Sequence, residues 1–177
     1  MCIRDSRLSQ EKGIITLMNA FKNRPQDKLK IVGDGPLRNQ LEAYKEQHGI
    51  KNIEFLGYKS GQELMDLKKN AYFVVVPSEW YENNPMAIIE SYCEGVPAIG
   101  SRIGGIPEII NEGKTGYIFK PHNTTELTEK IAKASDLSAE VYQQMSDNAI
   151  SFAHKDMSKE SYYKPVSYTH LRAHETV

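Results

Sequence analysis

Cysteine is nearly missing from this chain of 177 residues, with only Cys2 and Cys93 present. That excludes a disulfide-stapled scaffold and a cysteine-based zinc site, and makes a reducing compartment the default expectation. Tryptophan occurs once, as Trp80. No apolar run approaches the ~20 residues of a membrane-spanning helix. Neither charge sign is in excess: 22 Lys and Arg face 23 Asp and Glu, so no basic field points to nucleic acid. No internal repeat or low-complexity tract appears. The length suits one α/β domain with a sizeable core.

The two ends stand apart from the rest. Met1-Cys2-Ile3-Arg4-Asp5 can be encoded by ATG TGT ATA AGA GAC, whose reverse complement translates as Val-Ser-Tyr-Thr-His, the sequence of residues 166–170. Such a pair resembles translated sequencing-adapter read-through, and Leu171-Arg172-Ala173-His174-Glu175-Thr176 reads as its continuation. Residues 1–6 and 165–177 are therefore expected to be non-native and are set aside from fold reasoning. Without them Cys93 is the one cysteine, and the formal net charge stays at −1. Residues 7–164 form the expected domain, and the chain is expected to be a piece of a longer gene product.

Between those ends, helices and short strands alternate. Residues 13–23 carry Ile14, Leu17, Met18 and Phe21 at helical spacing. Leu29-Lys30-Ile31-Val32 reads as a strand closed by Gly33-Asp34-Gly35, and Pro36 opens a helix to about Gln47, with Gly49 placed to end it. Ile53-Glu54-Phe55-Leu56 is the next strand. Ser60 and Glu63 have the spacing of a capping box, with Leu64 and Leu67 facing inward. Tyr72-Phe73-Val74-Val75-Val76 is apolar without alternation, as in a parallel strand covered on both faces. Val96-Pro97-Ala98-Ile99 and Tyr117-Ile118-Phe119 are further strands, flanking a short helix over residues 106–111. Two helices finish the pattern, one from Thr124 or Thr125 and one from Ser138 to about Phe152. Single helices between strands imply right-handed crossovers and a Rossmann-like parallel sheet with helices on both faces.

The segment after the long apolar strand carries the most chemistry. Pro77 ends the strand, two carboxylates follow at Glu82 and Glu90, and Asn84-Pro85 supplies a cap with proline at the first helical position. Open α/β sheets bind ligands where strands lead through loops into helices, and free amides at a helix start favour phosphate. Met86, Ile88, Ile89, Tyr92 and Cys93 form the expected apolar face of this helix, with Glu90 at its edge. Upstream, Arg7 and Lys12 flank another loop entering a helix, where two cations and free amides could hold a diphosphate.

These segments resemble the donor-binding domain of family 4 retaining glycosyltransferases, which have the GT-B fold. That family has two glutamates with seven residues between them, matched by Glu82 and Glu90. The likeness runs on through Ser91-Tyr92-Cys93-Glu94-Gly95-Val96-Pro97-Ala98-Ile99-Gly100 and Ser101-Arg102-Ile103-Gly104-Gly105-Ile106-Pro107-Glu108. Upstream it includes Arg7-Leu8-Ser9-Gln10-Glu11-Lys12-Gly13 and Ile31-Val32-Gly33-Asp34-Gly35-Pro36. The resemblance covers residues from Arg7 to about Tyr163. It implies the C-terminal half of a GT-B fold with its first strand truncated, because a strand ending in glycine precedes the Arg7 segment in the family. Met1 to Arg4 is expected to fill that central slot, since a gap would leave neighbouring edges unpaired.

The implied reaction transfers a sugar from a nucleoside diphosphate sugar to an acceptor hydroxyl with retention of configuration. By resemblance Arg7 and Lys12 hold the diphosphate, Glu82 meets the transferred sugar and Glu90 the ribose. Asn84, Met86, Gly33, Gly35 and Tyr58 are further expected donor contacts. Many members carry Gly-Phe-Gly-Leu where this chain has Asn83-Asn84-Pro85-Met86, and Pro85 removes one amide donor. No cofactor or metal is implied beyond the UDP- or GDP-sugar. The acceptor, a sugar, a lipid-linked or another hydroxyl compound, is expected to meet a missing N-terminal domain, so the fragment alone is expected to be inactive. The implied location is cytoplasmic, with the full-length protein able to associate with the inner membrane face. Two alternatives remain at this point, a GT-B nucleotide-sugar epimerase and a non-catalytic nucleotide-sugar-binding module. A glycosidase pair of Glu82 and Glu90 would leave the phosphate-binding features without a purpose.

Overall fold

The computed structural model describes residues 1–83 and 85–156. Asn84, the adapter-like residues 165–177 and the stretch 157–164 of the expected domain lie outside the described residues. Six strands form one sheet: β1 (Cys2–Asp5), β2 (Leu29–Val32), β3 (Ile53–Gly57), β4 (Phe73–Val76), β5 (Ala98–Ser101) and β6 (Gly116–Phe119). Their order is β3-β2-β1-β4-β5-β6, and every pairing is parallel. The helices are α1 (Ile14–Lys22), α2 (Arg38–Gln47), α3 (Gly61–Lys69), α4 (Met86–Cys93), α5 (Ile106–Ile109), α6 (Thr124–Ser135) and α7 (Ala139–Asp156).

Two apolar layers explain why the strands lack alternation. Phe73 and Val75 of β4 join Leu17, Phe21, Leu127 and Ile131 on the face covered by α1 and α6. Val74 and Val76 point the other way, to Ile88, Tyr92 and Ala149 beneath α4 and α7. A strand with helices on both sides has no solvent face, so apolar residues occupy successive positions. Burying each such side chain is worth about 1.5–3 kcal/mol.

The chain runs outward from β1 to β3, then returns to β4 and continues outward to β6. The strand order therefore reverses between β1 and β4. In open α/β sheets that reversal leaves a crevice beyond the carboxyl ends of the strands. Residues 6–13 after β1 and residues 77–83 after β4 both emerge there.

Met1 to Arg4 does fill the central slot, and the filling is chemically awkward. Ile3 suits it and is fully buried. Arg4 is 2% exposed, and its Nε has no hydrogen-bond partner among the described residues. Burial pulls the Arg4 pKa down to about 10, against the opposing pull of Glu82 and Asp5. Such an unsatisfied buried group costs about 1–3 kcal/mol.

Three local expectations need correction. Proline 85 is not the first residue of α4: its ψ of 74° keeps it outside the helix, while its carbonyl accepts from Ile88 N at 2.9 Å. The Ser60 capping box does not form, because Lys59 Nζ takes the Glu63 carboxylate at 2.6 Å. Met86 and Cys93 are exposed; the buried face of α4 is Ile88, Ser91 and Tyr92. Ser91 can sit inside because its hydroxyl donates to the Ala87 carbonyl at 2.6 Å. A positional trend of three and four residues selects this face.

Candidate active site

The loop after β1 turns at Gly13, whose φ of 64° is left-handed and favours glycine. A Cβ there would lie 1.9 Å from the Pro77 carbonyl oxygen, so this glycine lets the loops after β1 and β4 touch. Glu79 N then donates to the Glu11 carbonyl at 2.8 Å, tying the same two loops. On the other side, Gly105 N donates to the Glu82 carbonyl at 2.8 Å, and a Cβ on Gly104 would lie 2.3 Å from that oxygen. Ser101 Oγ donates to the Ser78 carbonyl at 2.6 Å. Three loops are thus clamped together by close backbone contact.

That clamp brings Lys12 and Glu82 together across 70 positions of sequence. Lys12 Nζ donates to Glu82 Oε1 at 2.6 Å, and Ser78 Oγ donates to the same oxygen. Burial by itself raises the Glu82 pKa; hydrogen bonds from Lys12 and Ser78, with the charges of Arg4 and Lys12, outweigh it and hold the carboxyl below its ordinary range. The pair lines a cavity of about 310 Å³ with Glu11, Trp80 and Tyr81.

Glu90 enters a second cluster at the same edge. Lys68, only 2% exposed, donates to Glu90 Oε2 at 2.6 Å and lies 2.9 Å from Asp5 Oδ2. Burial pulls the Lys68 pKa down, but hydrogen bonds to Glu90 and Asp5 more than offset it and leave it raised. Glu90 itself is half exposed, so a carboxylate held at one oxygen presents the other to solvent.

The remaining expected contacts differ in placement. Gly33 and Gly35 pack on the loop after β1: their Cβ atoms would lie 1.9 Å from the Ser6 carbonyl oxygen and 2.5 Å from that of Leu8. Arg7 is exposed in that loop, and Tyr58 and Met86 are exposed at 74% and 49%. Asn84 lies outside the described residues. A larger cavity, about 840 Å³, opens at the opposite edge, beside Leu29 and Ile53 at the strand starts. It holds none of the expected site residues, and size alone gives it no chemistry.

Comparison with known proteins identifies the family of the chain. The glycosyl transferases group 1 family matches residues 5–152. The chain belongs to that family. It is 30% identical over 145 residues to an uncharacterized glycosyltransferase of Methanocaldococcus jannaschii, covering 82% of this chain and 40% of that protein. It is also 30% identical over 149 residues to the N-acetyl-alpha-D-glucosaminyl L-malate synthase of Bacillus anthracis, covering 82% and 38%. The chain thus spans about two fifths of the length of these relatives. Among solved structures, Anabaena HepE in complex with UDP superposes with a TM-score of 0.84 at 22% identity, over 97% of this chain and 48% of that one. The C-terminal domain of a group 1 protein from Francisella tularensis gives 0.78 at 18%, over 89% and 86%. These last two likenesses show the fold.

In this group 1 chain the structure adds residues that motif spacing did not single out. Lys68 follows Leu64 by four positions, so its inward direction was legible in the helical period. Its partners, from β1 and α4, were not. Ser78 carried no signal beyond its place after a strand. Trp80 and Tyr81, two aromatics in a polar loop, did carry one. Among the described residues no group of three or more His, Cys, Asp or Glu could hold a metal, and no helix is long and apolar enough to cross a membrane.

Proposed function

We propose that this chain is the nucleotide-sugar-binding, C-terminal half of a family 4 retaining glycosyltransferase. The observation that carries the reading is the Lys12–Glu82 pair, clamped at 2.6 Å in the crevice between β1 and β4. A lysine beside a glutamate at that place offers a cation for phosphate and an acceptor for sugar hydroxyls. The UDP and UDP-glucose complexes of the Anabaena protein, which shares the fold, favour a nucleotide sugar as the ligand.

In this reading the diphosphate enters against Lys12 and Arg7 and competes with Glu82 for the lysine. Glu82, released from that contact and still held by Ser78, accepts hydroxyls of the transferred sugar. Glu90, steadied by Lys68, accepts the ribose hydroxyls. Gly33, Gly35 and Tyr58 border the nucleotide, and Asn84 and Met86 are further donor contacts. As the bond from the sugar to the diphosphate breaks, negative charge grows on the leaving group. Lys12 and Arg7 stabilise that charge without a resident metal. The acceptor hydroxyl, from a sugar, a lipid-linked or another compound, approaches on a second domain in the cytoplasm, at the membrane face where the acceptor is lipid-linked.

Calorimetric titration of the chain with UDP and GDP tests the donor site directly. Saturable binding of one of them is expected, weakened roughly ten- to a hundredfold in Lys12→Ala. Heat from neither nucleotide defeats the assignment.

A further inference from the structure

Trp80 and Tyr81 are 72% and 68% exposed, consecutive in sequence, and line the cavity that holds Lys12 and Glu82. A lone exposed aromatic on a protein surface is ordinary. Here two are held out by a loop fixed on both sides, through Glu79 N to the Glu11 carbonyl and through Gly105 N to the Glu82 carbonyl. The fold buries little of either residue, although aromatic rings dominate burial wherever a core can use them. Fixed aromatic walls around a few convergent polar groups are the composition of a ligand site.

The volume and chemistry narrow the occupant. About 310 Å³ is at the small end of the range for ligand pockets, room for one ring system and not a whole nucleotide sugar. A nucleobase could stack on the aromatics but offers no row of hydroxyls to Glu82. A pyranose presents a C–H face to an aromatic wall and hydroxyls around its rim to a carboxylate. We propose that Trp80 and Tyr81 form the wall on which the donor's pyranose ring rests, and that they select for the sugar and not for the nucleotide. The proposal rests on the donor-binding reading above.

Trp80 is the only tryptophan, so its fluorescence reports on this wall alone. The chain is titrated with UDP, GDP, UDP-glucose and GDP-mannose, following both heat and Trp80 emission. A sugar nucleotide is expected to shift the emission and bind about three- to tenfold more tightly than its bare nucleotide. Trp80→Ala and Tyr81→Ala, read by heat alone, should erase that difference while keeping bare-nucleotide affinity within about twofold; Trp80→Phe should restore most of it. Circular dichroism confirms that the variants fold. Equal affinity for sugar nucleotide and bare nucleotide in the unaltered chain overturns the proposal, as does an undiminished difference in both alanine variants. Failure of all four compounds to bind overturns the donor reading, and this wall with it.

Discussion

The two edges of the sheet carry lysines in opposite circumstances. At the carboxyl edge, Lys12 meets Glu82, and buried Lys68 meets Asp5 and Glu90. At the amino edge Lys22, Lys28, Lys30, Lys45 and Lys51 surround the 840 Å³ cavity, and none of the five forms an ion pair among the described residues. The amino edge has more cations and more room. What the cavity lining lacks, among the described residues, is a cation and a carboxylate from different loops held against each other; Arg24 and Asp27 pair nearby, but within one loop. Preorganised pairs differ from a solvated array in what they can do to a ligand, since positioned charges in a partly dry cleft act more strongly than free ones in water.

The sharpest break in this contrast should come from Lys12. On the proposed reading Lys12→Ala removes a charge-assisted contact to phosphate worth about 1.5–3 kcal/mol, so nucleotide affinity should fall roughly ten- to a hundredfold by calorimetry. An unchanged affinity would mean that the clamped pair is structural and that the two edges are functionally alike. Lys68→Ala comes next. It strands Asp5 and Glu90 around a buried position, and should lower stability by about 1–3 kcal/mol in urea unfolding, the partial exposure of Glu90 limiting the effect. Nucleotide affinity should fall with it if Lys68 steadies Glu90.

Much of this arrangement was legible in sequence, and the reasons it was not complete are physical. Strand positions followed from apolar runs too short for helices, and the alternation with helices dictated a parallel sheet. The loops of Lys12 and Glu82 could be assigned to the carboxyl edge because both leave strands and enter helices. Their contact could not, because it depends on how closely two loops approach, and Gly13 over Pro77 is a tertiary fact. The same holds for α4: apolar residues at Met86 and Cys93 suggested a broad inner face, yet packing chose the narrower one through Ile88, Ser91 and Tyr92. Glu63 had the spacing of a capping partner, but Lys59 offered it a nearer charge. Local signals named the candidates; competition among neighbours decided which contacts formed.

The pH dependence of the Glu82 pair is a smaller effect with a definite sign. Its folded pKa lies below the ordinary 4.5, so the pair contributes stability that is present above that value and lost as pH falls through the folded pKa. Urea midpoints of the unaltered chain and Glu82→Gln should therefore differ at pH 7 and converge below pH 4.5. A gap that stays constant down the acid limb would contradict the ion pair.

The smallest effect belongs to the amino edge, and it tests the contrast from its other side. Lys28, Lys30 and Lys51 line the larger cavity without ion-pair partners among the described residues, so replacing all three with Gln breaks no pair seen in the structure. A four-residue strand spans roughly 13 Å between the two edges. That exceeds the Debye length of about 10 Å at 0.1 M salt, so exposed charges at one edge are largely screened from the other. The triple variant should keep stability within about 0.5 kcal/mol and nucleotide affinity within about twofold. Lowering the salt to 0.01 M, where screening extends to about 30 Å, should let a modest loss of affinity emerge. A large loss at 0.1 M would instead mean that the nucleotide reaches the amino edge, and the placement of the site beyond the strand ends would have to be abandoned.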